Sequence, residues 1–238
     1  MRPAATAYHE VVSSLRTRII KPELMDDAPE AEVVPCLRDL VRINRWFGGH
    51  GVLLRTLGSV AGRADGFTLL DVGAATGDTA AAIAGSFPGA RVISLDRDFL
   101  HVSKGRGNRI CGDGFRLPFR SHAVDFVFCS LFLHHFEEER VVEFFREAAR
   151  VARQAVLISD LERRLAPYVF LPATRWLFHW CDLTLHDGRI SVAAGFRRGE
   201  LLRLAKQAGL GGAHEKIHRP AFRISLVAPV NGGAAVSK

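Results

Sequence analysis

The chain has no long apolar run, no paired cysteines, no internal repeat and no block of like charge. A bilayer-crossing helix needs about 20 apolar residues. The longest candidates here, Phe126 to Leu133 and Tyr168 to Trp180, are short or broken by His, Arg and Pro. No apolar secretory segment stands at the start, so no membrane span is expected and the expected compartment is the cytoplasm. The four cysteines are Cys36, Cys111, Cys129 and Cys181. None forms a C-x-x-C pair, no Cys/His spacing resembles a zinc site, and no metal is expected. In a reducing compartment they read as free thiols.

What is present is close to a globular average. The 238 residues are 48% hydrophobic and 24% charged, which excludes a disordered or fibrous chain. That length suits one domain, with a core large enough to need no staples. The net charge is +7, and a basic balance admits nucleic acid or an anionic membrane face. Arg and Lys are scattered among the acids, so the expected partner is a small-molecule substrate rather than nucleic acid. Monomer and homodimer both remain open.

Residues 1–66 read as a helical N-terminal cover. Tyr8, Val11, Val12, Leu15 and Ile19 recur at helical spacing, until Pro22 and Asp26-Asp27-Ala28-Pro29 break the pattern. A second helix is expected from about Pro35 to Phe47, stopped by Gly48-Gly49, and a third from His50 to Ala61. From Phe67 the pattern changes. Short apolar runs (Phe67–Val72, Ala90–Leu95, Asp125–Cys129, Ala155–Ser159) alternate with helical stretches at Thr79–Ser86 and Glu137–Ala152. Such alternation means a parallel sheet with helices on both faces. Right-handed crossovers place the strand C-termini on one edge, where ligands bind near the point of strand-order reversal. After Asp160 comes an irregular aromatic segment to about Gly195, then a helix over Arg198–Ala208. Two last strands follow at Glu215–His218 and Phe222–Ala228.

The chemistry is concentrated at strand ends. Asp71-Val72-Gly73-Ala74-Ala75-Thr76-Gly77-Asp78 is a Gly-rich turn after the first strand. Such a turn lets backbone approach a ligand, and the following helix offers free N–H groups. Asp96 ends the second strand, where an acid can accept both hydroxyls of a ribose. Asp113, in Cys111-Gly112-Asp113-Gly114-Phe115, can accept from an exocyclic amine. Asp125 opens the strand Asp125-Phe126-Val127-Phe128-Cys129. The dinucleotide fingerprint G-x-G-x-x-G is missing, because Gly73-x-x-x-Gly77 does not fit it.

This pattern resembles the class I S-adenosylmethionine-dependent methyltransferase superfamily, over roughly residues 67–160 by motif. Asp71, Gly73 and Gly77 match, while Ala75 stands where a second Gly is usual. The resemblance implies an α/β, Rossmann-like three-layer sandwich with a mostly parallel seven-stranded sheet. Residues 67–238 would form this domain, with a lid insertion at about 161–198. It implies S-adenosylmethionine as cofactor and S-adenosylhomocysteine as product. Gly73 to Gly77, Ala75 included, would line the methionine part. Asp96 would hold the ribose, with Arg97 beside it. Asp113 would take the adenine amine, with Gly114 and Phe115 beside the ring. Ser130 and Leu131 would pass near the sulfonium, and Arg45 would either pair with the cofactor carboxylate or stand exposed on a plain amphipathic helix. The phrase Leu131-Phe132-Leu133-His134-His135-Phe136 is similar to small-molecule members, including quinone-biosynthesis methyltransferases.

Methylation of a small apolar or aromatic metabolite at oxygen or carbon is therefore expected. His134 and His135 are the candidate bases, since imidazole titrates near neutral pH. The matching slot in the superfamily favours His134. A histidine that only braces the loop is the competing reading. The lid carries Tyr168, Phe170, Trp176, Phe178, Trp180 and Phe196, which suit a flat apolar acceptor or a helical pair whose aromatics only pack on the core, and Trp46 is expected to pack against it. An RNA or protein methyltransferase and a non-catalytic cofactor-binding scaffold are the alternatives. The sequence Cys129-Ser130-Leu131-Phe132 lacks the Pro-Pro-aromatic motif used on nucleic-acid amino groups.

Overall fold

The computed structural model describes residues 15–62, 66–104 and 107–230. The expected helix positions Tyr8, Val11 and Val12, and the tail beyond residue 230, lie outside the described residues. Two helices, α1 (Glu30–Trp46) and α2 (Gly49–Ala61), precede the sheet. Strands and helices then alternate as β1 (Phe67–Val72), α3 (Asp78–Ser86), β2 (Ala90–Asp96), α4 (Phe99–Lys104), β3 (Asn108–Cys111) and β4 (Val124–Ser130). The chain continues through α5 (Glu138–Val151), β5 (Ala152–Leu161), α6 (Leu165–Phe178), α7 (Asp182–Ala194), α8 (Glu200–Gln207), β6 (His214–His218) and β7 (Arg223–Pro229).

The seven strands lie in the order β3-β2-β1-β4-β5-β7-β6. All pairings are parallel except those of β7, which runs antiparallel to both β5 and β6. The expected seven-stranded, mostly parallel sheet is thus the observed one. Period-two alternation distributes the core. Leu70 and Val72 of β1 and Val127 and Cys129 of β4 join the cluster beneath α5 and α8. Phe67, Leu69, Phe126 and Phe128 point to the opposite face, against α2 and its neighbour α3. Each such side chain stabilises the fold by about 1.5–3 kcal/mol on burial. Strand order reverses between β1 and β4, so their C-terminal ends flank the ligand-binding crevice.

Several boundaries differ from expectation, for local reasons. The helix expected from Pro35 begins at Glu30, because a proline inside a helix forfeits one ladder bond without ending it here. Ile19 lies outside any helix, its N–H donating to the Ala193 carbonyl at 3.3 Å. The segment expected to be irregular forms α6 and α7. Pro167 falls in the first turn of α6, where no N–H is needed, and Pro172 is tolerated inside. The run His186-Asp187-Gly188 lies inside α7. Gly188 lets α6 approach, since a Cβ there would meet Leu171 Cδ1 at 2.4 Å. The edge strand β3 has no apolar run to betray it.

Candidate active site

Asp71 is 1% exposed at the end of β1. Its Oδ2 is buried without a hydrogen-bond partner. Burial, reinforced by the nearby charges of Asp78 and Asp96, pushes its carboxyl well above the ordinary range. The glycine turn follows. Gly73 (φ +72°) and Gly77 (φ +75°) are left-handed, and Ala75 adopts the same region at φ +44°. A non-glycine residue there is strained by about 1–2 kcal/mol, which is the physical cost of the departure at Ala75. The Ala75 N–H donates to Asp96 Oδ2 at 2.8 Å, so the acid at the end of β2 holds the turn in place. Asp96 Oδ1 accepts from the Asp98 N–H at 2.9 Å.

Arg97 is exposed beyond β2, and its carbonyl accepts from the Cys111 thiol at 3.3 Å. Asp113 is exposed after β3 and folds back to accept from the Phe115 N–H at 2.9 Å. Gly114 is buried because a Cβ there would sit 2.9 Å from Val72 Cγ1 and 3.2 Å from Phe132 Cζ. Asp71, Asp96 and Asp113 thus share one edge of the sheet. Asp125 does not. It opens β4 on the opposite edge, where it accepts from the N–H and hydroxyl of Thr68, both at 2.8 Å, and pairs with Arg153. Its place at the start rather than the end of a strand accounts for this.

The loop after β4 faces the glycine turn. The Leu131 N–H donates to the Ser159 carbonyl at 3.0 Å, and Leu131 is left-handed at φ +52°. Phe132, which the sequence analysis did not single out, wedges between the two loops. A Cβ on Gly73 would meet its Cδ2 at 2.6 Å. Phe115 packs in an aromatic cluster with Phe132 (6.2 Å between centroids) and Phe136 (4.7 Å), and the Arg140 guanidinium lies over its ring at 3.8 Å.

His134 is buried on the 3-10 turn Leu133–His135. Asp160, fully buried at the end of β5, accepts from its Nδ1 at 2.7 Å and from the backbone N–H groups of Leu133 (3.0 Å) and His134 (3.3 Å). Glu23 Oε1 stands 3.8 Å from the other ring nitrogen, Nε2. Burial opposes the charged ring, yet the Asp160 charge and hydrogen bond, with Glu23, lift His134 to about 9. His135 stacks on it with centroids 4.2 Å apart. Burial and the His134 charge push His135 down to about 4. Sequence reasoning missed Glu23 and Asp160. Asp160 closes an apolar strand, a signal that could have been read; Glu23, over 100 residues away, gave none.

Both covers reach this edge. The histidines lie under residues 15–26 and α7. Arg18 donates to the carbonyls of Leu133, His134 and Ala194 at 2.7–3.1 Å and stacks over Phe196. Asp187 accepts from the Leu24 and Met25 N–H groups at 3.0 Å. Arg45 is exposed on the last turn of α1. Its neighbours Asn44 and His50 instead reach Asp78, at 3.2 and 2.8 Å, clamping the cover to the first turn of α3. Arg223, buried at the start of β7, leaves its Nε unpartnered and gives Asn44 a long 3.4 Å contact. Trp46 meets Phe178 at 6.4 Å, but the centre of the cover–lid contact is Phe47, packed on Phe170, Phe178 and Trp180.

An acid-flanked glycine turn at a strand-order reversal, under a two-sided cover, narrows the families this chain can resemble. Residues 70–158 match the family described as a methyltransferase domain. This segment, from β1 into β5, is a methyltransferase domain. A comparison with curated proteins finds no match. Solved structures share the fold. The plantazolicin methyltransferase BpumL, in complex with S-adenosylhomocysteine, has a TM-score of 0.61 at 13% identity, covering 82% of this chain and 88% of that one. The magnesium protoporphyrin IX methyltransferase of Synechocystis gives 0.56 at 15%, covering 94% of both. A protein of Anabaena variabilis, described as a methyltransferase from an antibiotic biosynthesis pathway, gives 0.54 at 19%; it covers 70% of this chain, which spans 64% of its length.

BpumL is bound to S-adenosylhomocysteine, which is S-adenosylmethionine after loss of its methyl group. The residues present fit that donor. The buried, unpartnered Asp71 Oδ2 awaits a hydrogen-bond donor, and the left-handed turn from Gly73 to Gly77 exposes backbone beside it. No helix among the described residues is long and apolar enough to cross a membrane.

Proposed function

We propose that the enzyme methylates a small apolar or aromatic metabolite at oxygen or carbon. The observation that carries this reading is the aromatic wall formed where the N-terminal cover meets the lid. Phe47 packs edge to face on Phe170, Phe178 and Trp180, and Phe222 joins through Phe170 at 5.3 Å. Aromatic faces accept a flat apolar substrate and leave polar groups to fix its orientation. The fold neighbour from Anabaena variabilis, described as coming from an antibiotic biosynthesis pathway, supports a place in specialised metabolism.

S-adenosylmethionine supplies, when bound, an electrophilic methyl group on a sulfonium. The chain's own work is placement, which can be worth about 7–11 kcal/mol of barrier. In this reading Asp71 accepts from the donor's amino group and the turn Gly73-Ala74-Ala75-Thr76-Gly77 backs its methionine part. Asp96 takes the ribose hydroxyls, with Arg97 at the rim. Asp113 receives the adenine amine, between Gly114 and Phe115. Ser130 and Leu131 border the methyl group. Arg45 pairs with the donor carboxylate at the mouth, and buried Arg223 supplies fixed positive charge behind it. His134 and His135, at the end of β4, stand on the acceptor's side. Asp160 and Glu23 act on His134 as positioning residues.

The test is transfer of labelled methyl from S-adenosylmethionine to a panel of phenols, quinone precursors and polyketides, with tRNA and rRNA as comparison substrates. Label in the small aromatic acceptors alone is the expected result. Label only in RNA, or none in any substrate while the cofactor binds, contradicts it.

A further inference from the structure

We propose that Glu23, His134 and His135 form a binding site for a divalent transition-metal cation. The candidate donor atoms of the three side chains all lie within 4.8 Å of one another. A cation with ligand bonds of about 2.1 Å holds its donor atoms about 3–4.2 Å apart, so small side-chain rotations close the set. The 3.8 Å between His134 Nε2 and Glu23 Oε1 already falls in that range. Two imidazoles and one carboxylate suit Zn²⁺, Co²⁺, Ni²⁺ or Fe²⁺, and leave positions open for an exogenous oxygen.

The surroundings are those of a ligand set rather than of three chance neighbours. Metal-binding histidines donate their second ring nitrogen to a carboxylate or carbonyl, which fixes ring orientation. His134 does so to Asp160 at 2.7 Å. The Leu131 carbonyl plays the same part for His135. Glu23 is fixed in turn by the Ser191 hydroxyl of α7. Residues 15–26 are held over the histidines by Arg18 and by Asp187, so the carboxylate is delivered by several independent contacts. Asp26 and Asp187 add negative charge beside Glu23, which attracts a cation. Cysteine and histidine spacing along the chain shows none of this, because the third ligand comes from the cover.

The inference goes beyond methyl transfer and is tested on the protein alone. Chelator-treated protein is titrated with Co²⁺ and followed by visible absorption. One equivalent is expected to develop a d–d band without thiolate charge transfer, and Zn²⁺ is expected to displace it. Affinity is expected to fall at least tenfold in Glu23→Gln and in His135→Ala, and about 10–100-fold in Asp160→Asn. Should a variant fail to fold, wild-type melting serves: stoichiometric Zn²⁺ raises Tm and chelation reverses it. Absence of a band, a band unchanged in both ligand variants, or one lost only on replacing the exposed Cys111 overturns the proposal. S-adenosylhomocysteine binding, measured separately, shows whether the donor site stands regardless.

Discussion

At the scale of single residues, Asp71 carries the sharpest consequence. A carboxylate buried beside Asp78 and Asp96 prefers its proton, so the folded chain binds that proton more tightly than the unfolded chain. Where the native state holds more protons, stability falls as pH rises. The fall starts near the unfolded value of about 3.9 and continues up to the raised native value. In donor-free protein, Asp71→Asn is therefore expected to remove this slope and to melt higher than wild type near neutral pH. Melting curves from pH 4 to 8 decide the matter. Parallel profiles for the two proteins would show that Asp71 is not held protonated. The same group then explains why the pocket welcomes a cationic amine: a donor satisfies the orphaned oxygen and restores its charge.

At the scale of elements, the turn after β1 and the loop after β4 are coupled through one aromatic ring. Phe132 occupies the space a side chain at Gly73 would fill. Gly73→Ala is expected to cost more than about 2 kcal/mol, from the left-handed backbone together with overpacking. Phe132→Ala removes only the second part. A double-mutant cycle in denaturant should show that Gly73→Ala costs less when Phe132 is already gone, with a coupling above about 0.5 kcal/mol. Strict additivity would mean that the loops do not press on each other. This contact was illegible in the sequence. Gly73 announced the turn, but nothing along the chain says which ring will lie across it. Asp125 shows the converse. Its acid-at-a-strand pattern was visible, yet only the register of β4 against β1 puts it beside Thr68 on the far edge.

At the scale of the whole molecule, the central strands β1, β2, β4 and β5 announced themselves as apolar runs. Phe67–Val72 was read to the residue, and three acids at the C-terminal edge followed from it. Elements set by tertiary contact were hidden. α7 depends on Gly188 meeting Leu171, β3 is an exposed edge, and the reach of Glu23 to His134 depends on Arg18 and Asp187. The cover in general is where sequence reading was weakest, because its conformation is dictated by what it covers. The account as a whole rests on the strand-end acids meeting a nucleoside. Isothermal titration with S-adenosylhomocysteine on wild type and Asp96→Ala addresses that directly. Wild type should bind one equivalent, and the variant should bind at least tenfold more weakly while melting as a folded protein. Equal affinity in the two would contradict the placement of the donor at this edge.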